Sequence, residues 1–142
     1  MKVAVTGATG FLGRVLVSDL EEEGYSVVCL SRNAGPNSPA PSVEWRQVNY
    51  DVIESLKAAL DGCDAVIHLA GIAHARAGKY DDNDYRSAII GASERLVKVA
   101  VSAGCRQFIF ASSIKVYGES SGKQSFSENT QPPPSSIYGQ CK

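Results

Sequence analysis

With 142 residues, 44% of them hydrophobic and 20% charged, the chain has enough apolar material for one soluble domain with its own core. A formal net charge of -1 argues against attraction to nucleic acid or to an anionic membrane, and no apolar run approaches the length of a membrane span. The four cysteines (Cys29, Cys63, Cys105, Cys141) lie far apart without a C-x-x-C pair. That pattern suggests neither a zinc site nor a disulfide framework, so free, mostly buried thiols and no metal are expected.

Taken in order, the chain alternates strand and helix signals. An apolar run from Lys2 leads into three glycines, Gly7, Gly10 and Gly13, spaced three apart. Because nothing that could act as a targeting segment stands before that strand, a cytoplasmic location is expected. Leu12, Val15, Leu16 and Leu20 then recur at helical spacing up to a stop at Gly24. Tyr25 to Leu30 is a short β-branched run, a buried second strand, and the proline-rich stretch from Asn33 to Pro41 is a loop. Val43 to Val48 reads as a third strand, Val52 to Leu60 as a helix ended by Asp61-Gly62, and Asp64 to Leu69 as a fourth strand. A long helix from about Tyr85 to Ala103 leads to a fifth strand, Phe108 to Ala111. The polar segment from Gly118 to Ser136 ends near three consecutive prolines and reads as structureless chain beside a ligand crevice. This alternation implies an α/β fold, a doubly wound parallel sheet with right-handed crossovers.

A strand running into Gly7, Gly10 and Gly13 and then a helix is what a backbone needs to cradle a dinucleotide pyrophosphate. Gly7 permits the tight turn, Gly10 a close approach to phosphate, and Gly13 close packing of helix on strand. The helix start adds unpaired N–H groups and a positive dipole end. Farther on, Tyr138 and Lys142 are four apart and share a helix face, so the ammonium favours the phenolate form of the tyrosine. That pair suits general acid/base work on a hydroxyl group.

Four stretches together resemble the N-terminal part of the extended short-chain dehydrogenases/reductases, the nucleotide-sugar epimerase/dehydratase family. They are Thr6-Gly-Ala-Thr-Gly-Phe-Leu-Gly13, Asp64-Ala-Val-Ile-His-Leu-Ala-Gly71, Ser112-Ser-Ile-Lys-Val-Tyr-Gly118 and Tyr138-Gly-Gln-Cys-Lys142. The resemblance implies an NAD(P)-binding Rossmann domain over residues 1–142, a nucleotide-sugar substrate, and Ser113, Tyr138 and Lys142 as catalytic residues. It places cofactor contacts at Gly7, Thr9, Gly10, Phe11, Leu12, Ser31, Arg32, Asn49, Leu69, Ala70 and Gly71. In relatives that are dehydratases, two acids follow the catalytic serine or threonine. Ile114 and Lys115 stand here instead, which leaves epimerisation at C4 of a UDP-sugar, or net reduction or oxidation of such a sugar. A non-catalytic dinucleotide sensor is a third reading.

NAD-preferring relatives carry an acid at the end of the second strand, where this chain has Ser31-Arg32. Without a carboxylate to repel a 2'-phosphate, and with a guanidinium able to fork onto it, NADP is favoured over NAD. Asn49 replaces the acid that usually contacts adenine. The asparagine that relatives carry early in the long helix is absent from Ala88 to Ser93, so no amide there can hold a relay water. Relatives continue into a substrate lobe. The chain is therefore expected to be the cofactor-binding portion of an enzyme, inactive by itself, with its last helix barely one turn long, unpacked and frayed. A homodimer of the full-length protein is expected through the long Tyr85 segment and the helix near Tyr138. Among residues outside these motifs, His68 reads as a strand-end or crevice-lining residue rather than a metal ligand. His74 and Arg76 fall in a solvated loop, Glu21 to Glu23 on an exposed helix end, and Trp45 against a sheet face.

Overall fold

Five short parallel strands carry the β-branched and small apolar residues of the chain in the order β3-β2-β1-β4-β5. They are β1 (Lys2–Thr6), β2 (Ser26–Ser31), β3 (Val43–Gln47), β4 (Ala65–His68) and β5 (Gln107–Phe110). The computed structural model describes residues 1–33, 35, 42–72, 81–122 and 125–142. His74 and Arg76 lie outside the described residues. Helices α1 (Phe11–Glu22), α2 (Ile53–Leu60) and α4 (Ala92–Ser102) follow β1, β3 and, after α3 (Asp82–Tyr85) and a π-helical turn (Arg86–Gly91), β4. A 3-10 turn (Ile114–Tyr117) and α5 (Ile137–Cys141) complete the elements.

These form two compact units. Met1–Gly71 with Ala92–Ala111 holds the whole sheet, α1, α2 and α4; Ile72–Gly91 with Ser112–Lys142 holds α3, the π turn, the 3-10 turn and α5.

In the first unit the period of two along each strand sorts its side chains between two faces. Val3 and Val5 of β1 join Val27, Cys29 and Val43 beneath Leu16, Val17 and Leu20 of α1, with Trp45 against the same face as expected. Ala4 between them faces the other way, with Val28, Leu30 and Val66, under Leu56, Ala59 and Leu60 of α2 and Leu96, Val99 and Ala100 of α4. Leu56, Leu60 and Leu96 are fully buried, and cutting any one to alanine costs about 2–5 kcal/mol. At the amino ends of the strands Asp64 ties three of them: it accepts from Lys2 N at 2.7 Å and pairs with Arg106 at 3.3 Å.

Three departures from the sequence reading have local causes. Leu12 and Val15 share the apolar spacing of α1 but are 64% and 56% exposed, because the first turn stands at the carboxyl ends of the strands, where the sheet has run out. The long helical segment starts at Asp82 rather than Tyr85. Asp81 and Asp84 make a reciprocal capping box, Asp84 N to Asp81 Oδ1 at 2.8 Å and Asp81 N to Asp84 Oδ2 at 3.0 Å. It then opens into the π turn, which buries Ile89.

Candidate functional site

β1 ends at Thr6, and the chain reverses at Gly7 with φ +71°, a conformation that glycine adopts without strain. The turn closes through Gly10 N to Gly7 O at 2.9 Å, and Arg14 N to Gly10 O at 3.1 Å begins α1. Gly13 is packed backbone to backbone on this turn. A Cβ at Gly13 would run into Gly7 O and stand 2.7 Å from Ala8 Cα and 2.9 Å from Ala8 C. The close packing expected of this glycine is therefore against the turn itself. Around the helix start, Thr9, Gly10, Phe11 and Leu12 are exposed, no side chain caps α1, and its first turn holds no acid. The positive end of the helix dipole is not neutralised by α1's own cap or first turn.

The other residues expected at the cofactor surround this turn in the same unit. The strand order reverses between β1 and β4, and that is where doubly wound sheets open a crevice at their carboxyl ends. Leu69 and Ala70 leave β4 there, followed by exposed Gly71, and a Cβ on Gly7 would stand 2.9 Å from Ala70 N. Ser31 ends β2, its hydroxyl accepting from Asn33 N at 3.3 Å. Arg32 is exposed, and its carbonyl accepts from Gln47 Nε2 at 3.1 Å. After β3, Asn49 Oδ1 accepts from Asp51 N at 3.0 Å, which leaves its NH2 group to donate to a ligand. Arg95 of α4 braces this bend, with Nε to Tyr50 O at 2.7 Å and Nη2 to Asp51 Oδ1 at 2.6 Å. Burial pushes the Tyr50 phenol up to about 12.

A buried polar chain that the sequence reading missed runs beneath the cradle. Thr6 Oγ1 lies 2.6 Å from His68 Nδ1, 3.2 Å from Leu69 N and 3.0 Å from Ala70 N, while His68 Nε2 lies 3.0 Å from Ser93 Oγ. His68 ends β4 as expected, though it is fully buried and lines no open surface. Ser93, in the stretch that lacks an amide, is engaged by His68. The only sequence signal for this chain was polar residues at the ends of two apolar strands. Among the described residues no group of three metal-ligating side chains occurs, and no helix is long and apolar enough to cross a membrane.

The three residues expected to be catalytic all lie in the second unit. Ser113 is the N-cap of the 3-10 turn, its Oγ accepting from Lys115 N at 3.2 Å. Its neighbour Ser112 donates from Oγ to the Lys142 main-chain oxygen at 3.2 Å, which joins the serine stretch to α5 across 30 residues. On α5, Ser136 caps the start by accepting from Gly139 N at 3.2 Å, and Lys142 N reaches Tyr138 O at 3.1 Å. The expectation of an unpacked helix is corrected: Gly139 and Cys141 are buried. A Cβ at Gly139 would stand 2.5 Å from Lys115 O, and α5 also packs on α3 and the π turn. Burial lowers the Lys142 ammonium from its ordinary pKa.

The chain matches the NAD dependent epimerase/dehydratase family over residues 3–142. It is 31% identical over 155 residues to an uncharacterized UDP-glucose epimerase of Bacillus subtilis (strain 168), a match covering 100% of this chain and 48% of that protein. It is 34% identical over 146 residues to a dTDP-6-deoxy-L-talose 4-dehydrogenase (NAD(P)(+)) of Kitasatospora kifunensis, covering 99% of this chain and 44% of that one. Among solved structures, MoeE5 in complex with UDP-glucuronic acid and NAD matches with a TM-score of 0.85 at 31% identity, over 99% of this chain and 46% of that chain. The chain thus spans about half the length of these relatives.

Proposed function

The chain belongs to the NAD dependent epimerase/dehydratase family, and we propose that it is the dinucleotide-binding portion of an enzyme that inverts C4 of a UDP-sugar through a keto intermediate. The observation that carries this reading is the Ser112 to Lys142 hydrogen bond, because it joins the Ser113 stretch to the Tyr138/Lys142 helix in one compact unit. A dinucleotide fits the first unit. Gly7 turns the chain at a positive φ, Gly13 lets α1 pack on that turn, the start of α1 presents N–H groups without an acid, and Asn49 adds an amide donor.

In this reading Gly7, Thr9, Gly10, Phe11 and Leu12 hold the pyrophosphate, Ser31 and Arg32 the adenosine ribose, Asn49 the adenine, and Leu69, Ala70 and Gly71 the crevice beside it. NADP is favoured over NAD, because exposed Arg32 offers a fork to a 2'-phosphate with no acid beside it. The dinucleotide held by these residues would supply reversible hydride transfer at the sugar carbon. Tyr138 removes the proton from the sugar hydroxyl and later gives it back, Ser113 donates a hydrogen bond to that oxygen, and Lys142, four residues on, supplies the positive charge of the set. Ile114 and Lys115, which follow Ser113, supply no carboxylate for elimination of water. The substrate lobe belongs to the remainder of the protein, and a homodimer is part of the proposal, with exposed Val97 and Val101 one turn apart on α4 as an apolar face for a partner. The likeness to a 4-dehydrogenase supports a second reading, net oxidation or reduction at the same carbon.

The test is turnover of UDP-hexoses and their N-acetyl forms by the full-length gene product, following configuration at C4 and reduced cofactor together. Inversion with no net change in cofactor supports the epimerase, and cofactor consumed in step with sugar overturns it in favour of the dehydrogenase. Tyr138→Phe in that protein lowers turnover at least about 100-fold; unchanged turnover removes Tyr138 from the mechanism.

A further inference from the structure

His68 is 1% exposed, beside the rings of Phe108 and Phe110 at centroid distances of 6.1 and 5.8 Å. Its two nitrogens reach different elements, Nδ1 to Thr6 Oγ1 on β1 and Nε2 to Ser93 Oγ on α4. The directions of these bonds can be assigned from what surrounds Thr6. Leu69 N and Ala70 N can only donate, so they take the two lone pairs of Thr6 Oγ1. The Tyr50 hydroxyl beside Thr6 makes no hydrogen bond of ordinary geometry, whereas His68 Nδ1 lies 2.6 Å away, so the single hydroxyl proton points at His68 Nδ1. Nδ1 is bare, the ring proton sits on Nε2, and Ser93 Oγ accepts it. The imidazole is therefore neutral, in one defined tautomer.

The hydroxyl that His68 orients is the one that holds the Leu69–Ala70 peptide. Leu69 N has a second acceptor in Thr6 O at 3.3 Å, whereas Ala70 N is placed by the hydroxyl at 3.0 Å. Gly7 completes the contact, since any side chain there would collide with this same peptide. Resting on the dinucleotide-binding reading above, we infer that His68 is a positioning residue for the cofactor. It fixes the Thr6 hydroxyl in the direction that presets Ala70 at the switch point between β1 and β4, and Ser93 holds the ring in the tautomer that does so. A histidine that merely fills the core would contribute to stability and leave dinucleotide affinity alone.

Asparagine and glutamine separate the two bonds. The Oδ1 of Asn takes the place of Nδ1 and still accepts from Thr6, whereas Gln reaches toward Ser93 and abandons Thr6. The 142-residue chain and its His68→Asn and His68→Gln variants are compared by NADH and NADPH titration and by amide hydrogen exchange at Ala70. The wild-type imidazole is examined by long-range nitrogen-15 NMR. Expected are a bare Nδ1 with a protonated Nε2 and a protected Ala70 amide. His68→Asn keeps that protection and binds within about twofold of wild type. His68→Gln exchanges Ala70 at least about tenfold faster and binds about five- to tenfold more weakly, the weight of one hydrogen bond. Thr6→Ser against Thr6→Val repeats the contrast from the other end of the bond and decides the matter should a His68 variant fail to fold. Equal affinity in the two variants of either pair, or a proton on Nδ1, overturns the inference while leaving dinucleotide binding intact. A wild-type chain that binds neither NADH nor NADPH overturns the reading beneath it and the inference together.

Discussion

Replacing Gly13 by alanine places a methyl group against main chain that has no freedom to retreat. In an open helix the change stabilises by up to about 1 kcal/mol, since alanine is the better helix former. Here the new Cβ meets Gly7 O and stands 2.7 Å from Ala8 Cα, while carbon atoms in ordinary contact lie about 3.5–4.0 Å apart. The start of α1 and the turn must part by roughly 0.8 Å to restore that spacing. Overpacking of this kind costs about 1–3 kcal/mol, and backbone against backbone belongs at the upper end, so the net loss after the helix gain is about 2 kcal/mol. For a chain of this length that lowers Tm by about 6–8 °C. The same shift moves the N–H groups of Phe11 and Leu12, so NADH affinity falls with it. Thermal melts by circular dichroism and an NADH titration read both quantities. Gly24→Ala is the control: its φ is +78° with nothing within 4 Å of the added Cβ, so it loses only the left-handed backbone term of about 1 kcal/mol and binds as wild type. A Gly13→Ala variant that melts at or above the wild-type temperature with unchanged affinity would refute the reasoning.

Tyr50→Phe probes a buried hydroxyl that stands beside Thr6 without making a hydrogen bond of ordinary geometry. Because the folded phenol sits at about 12 while an unfolded tyrosine titrates near 10, the stability it contributes is complete below about pH 10 and is lost as pH rises toward 12. That loss is about 2–3 kcal/mol. Denaturant melts between those pH values should show the decline in the wild type and a flatter profile in the variant, with less than about 1 kcal/mol of difference at neutral pH; parallel profiles would refute the assignment. Arg32→Ala should weaken NADPH binding about five- to tenfold and NADH binding less than twofold, and equal effects in a side-by-side titration would remove Arg32 from cofactor selection.

Much of the fold was legible because its determinants are local. The turn at Gly7 needs a positive φ, the runs of Val3 to Thr6 and Val27 to Leu30 can only be buried strands, and Gly24, Gly62 and Gly104 end their helices with positive φ. Conformational preferences of that kind act within a few residues and are written in the order of the chain. The start of α3 is also written there, in Asp81 and Asp84 spaced as a capping box. What the order of residues left undecided depends on which strands lie side by side. Thr6 meets His68 only because β1 pairs with β4 in the register Thr6 to His68, although 62 residues separate them in sequence. Ser93 meets the same imidazole from α4, and Lys115 finds Gly139 on α5. Helical spacing equally put Leu12 and Val15 with Leu16, and only the place where the sheet ends left the first two in solvent. Periodicity chooses the face of a helix or strand, whereas the partner that face meets, and the proton each buried polar atom holds, are set by parallel pairing across the sheet.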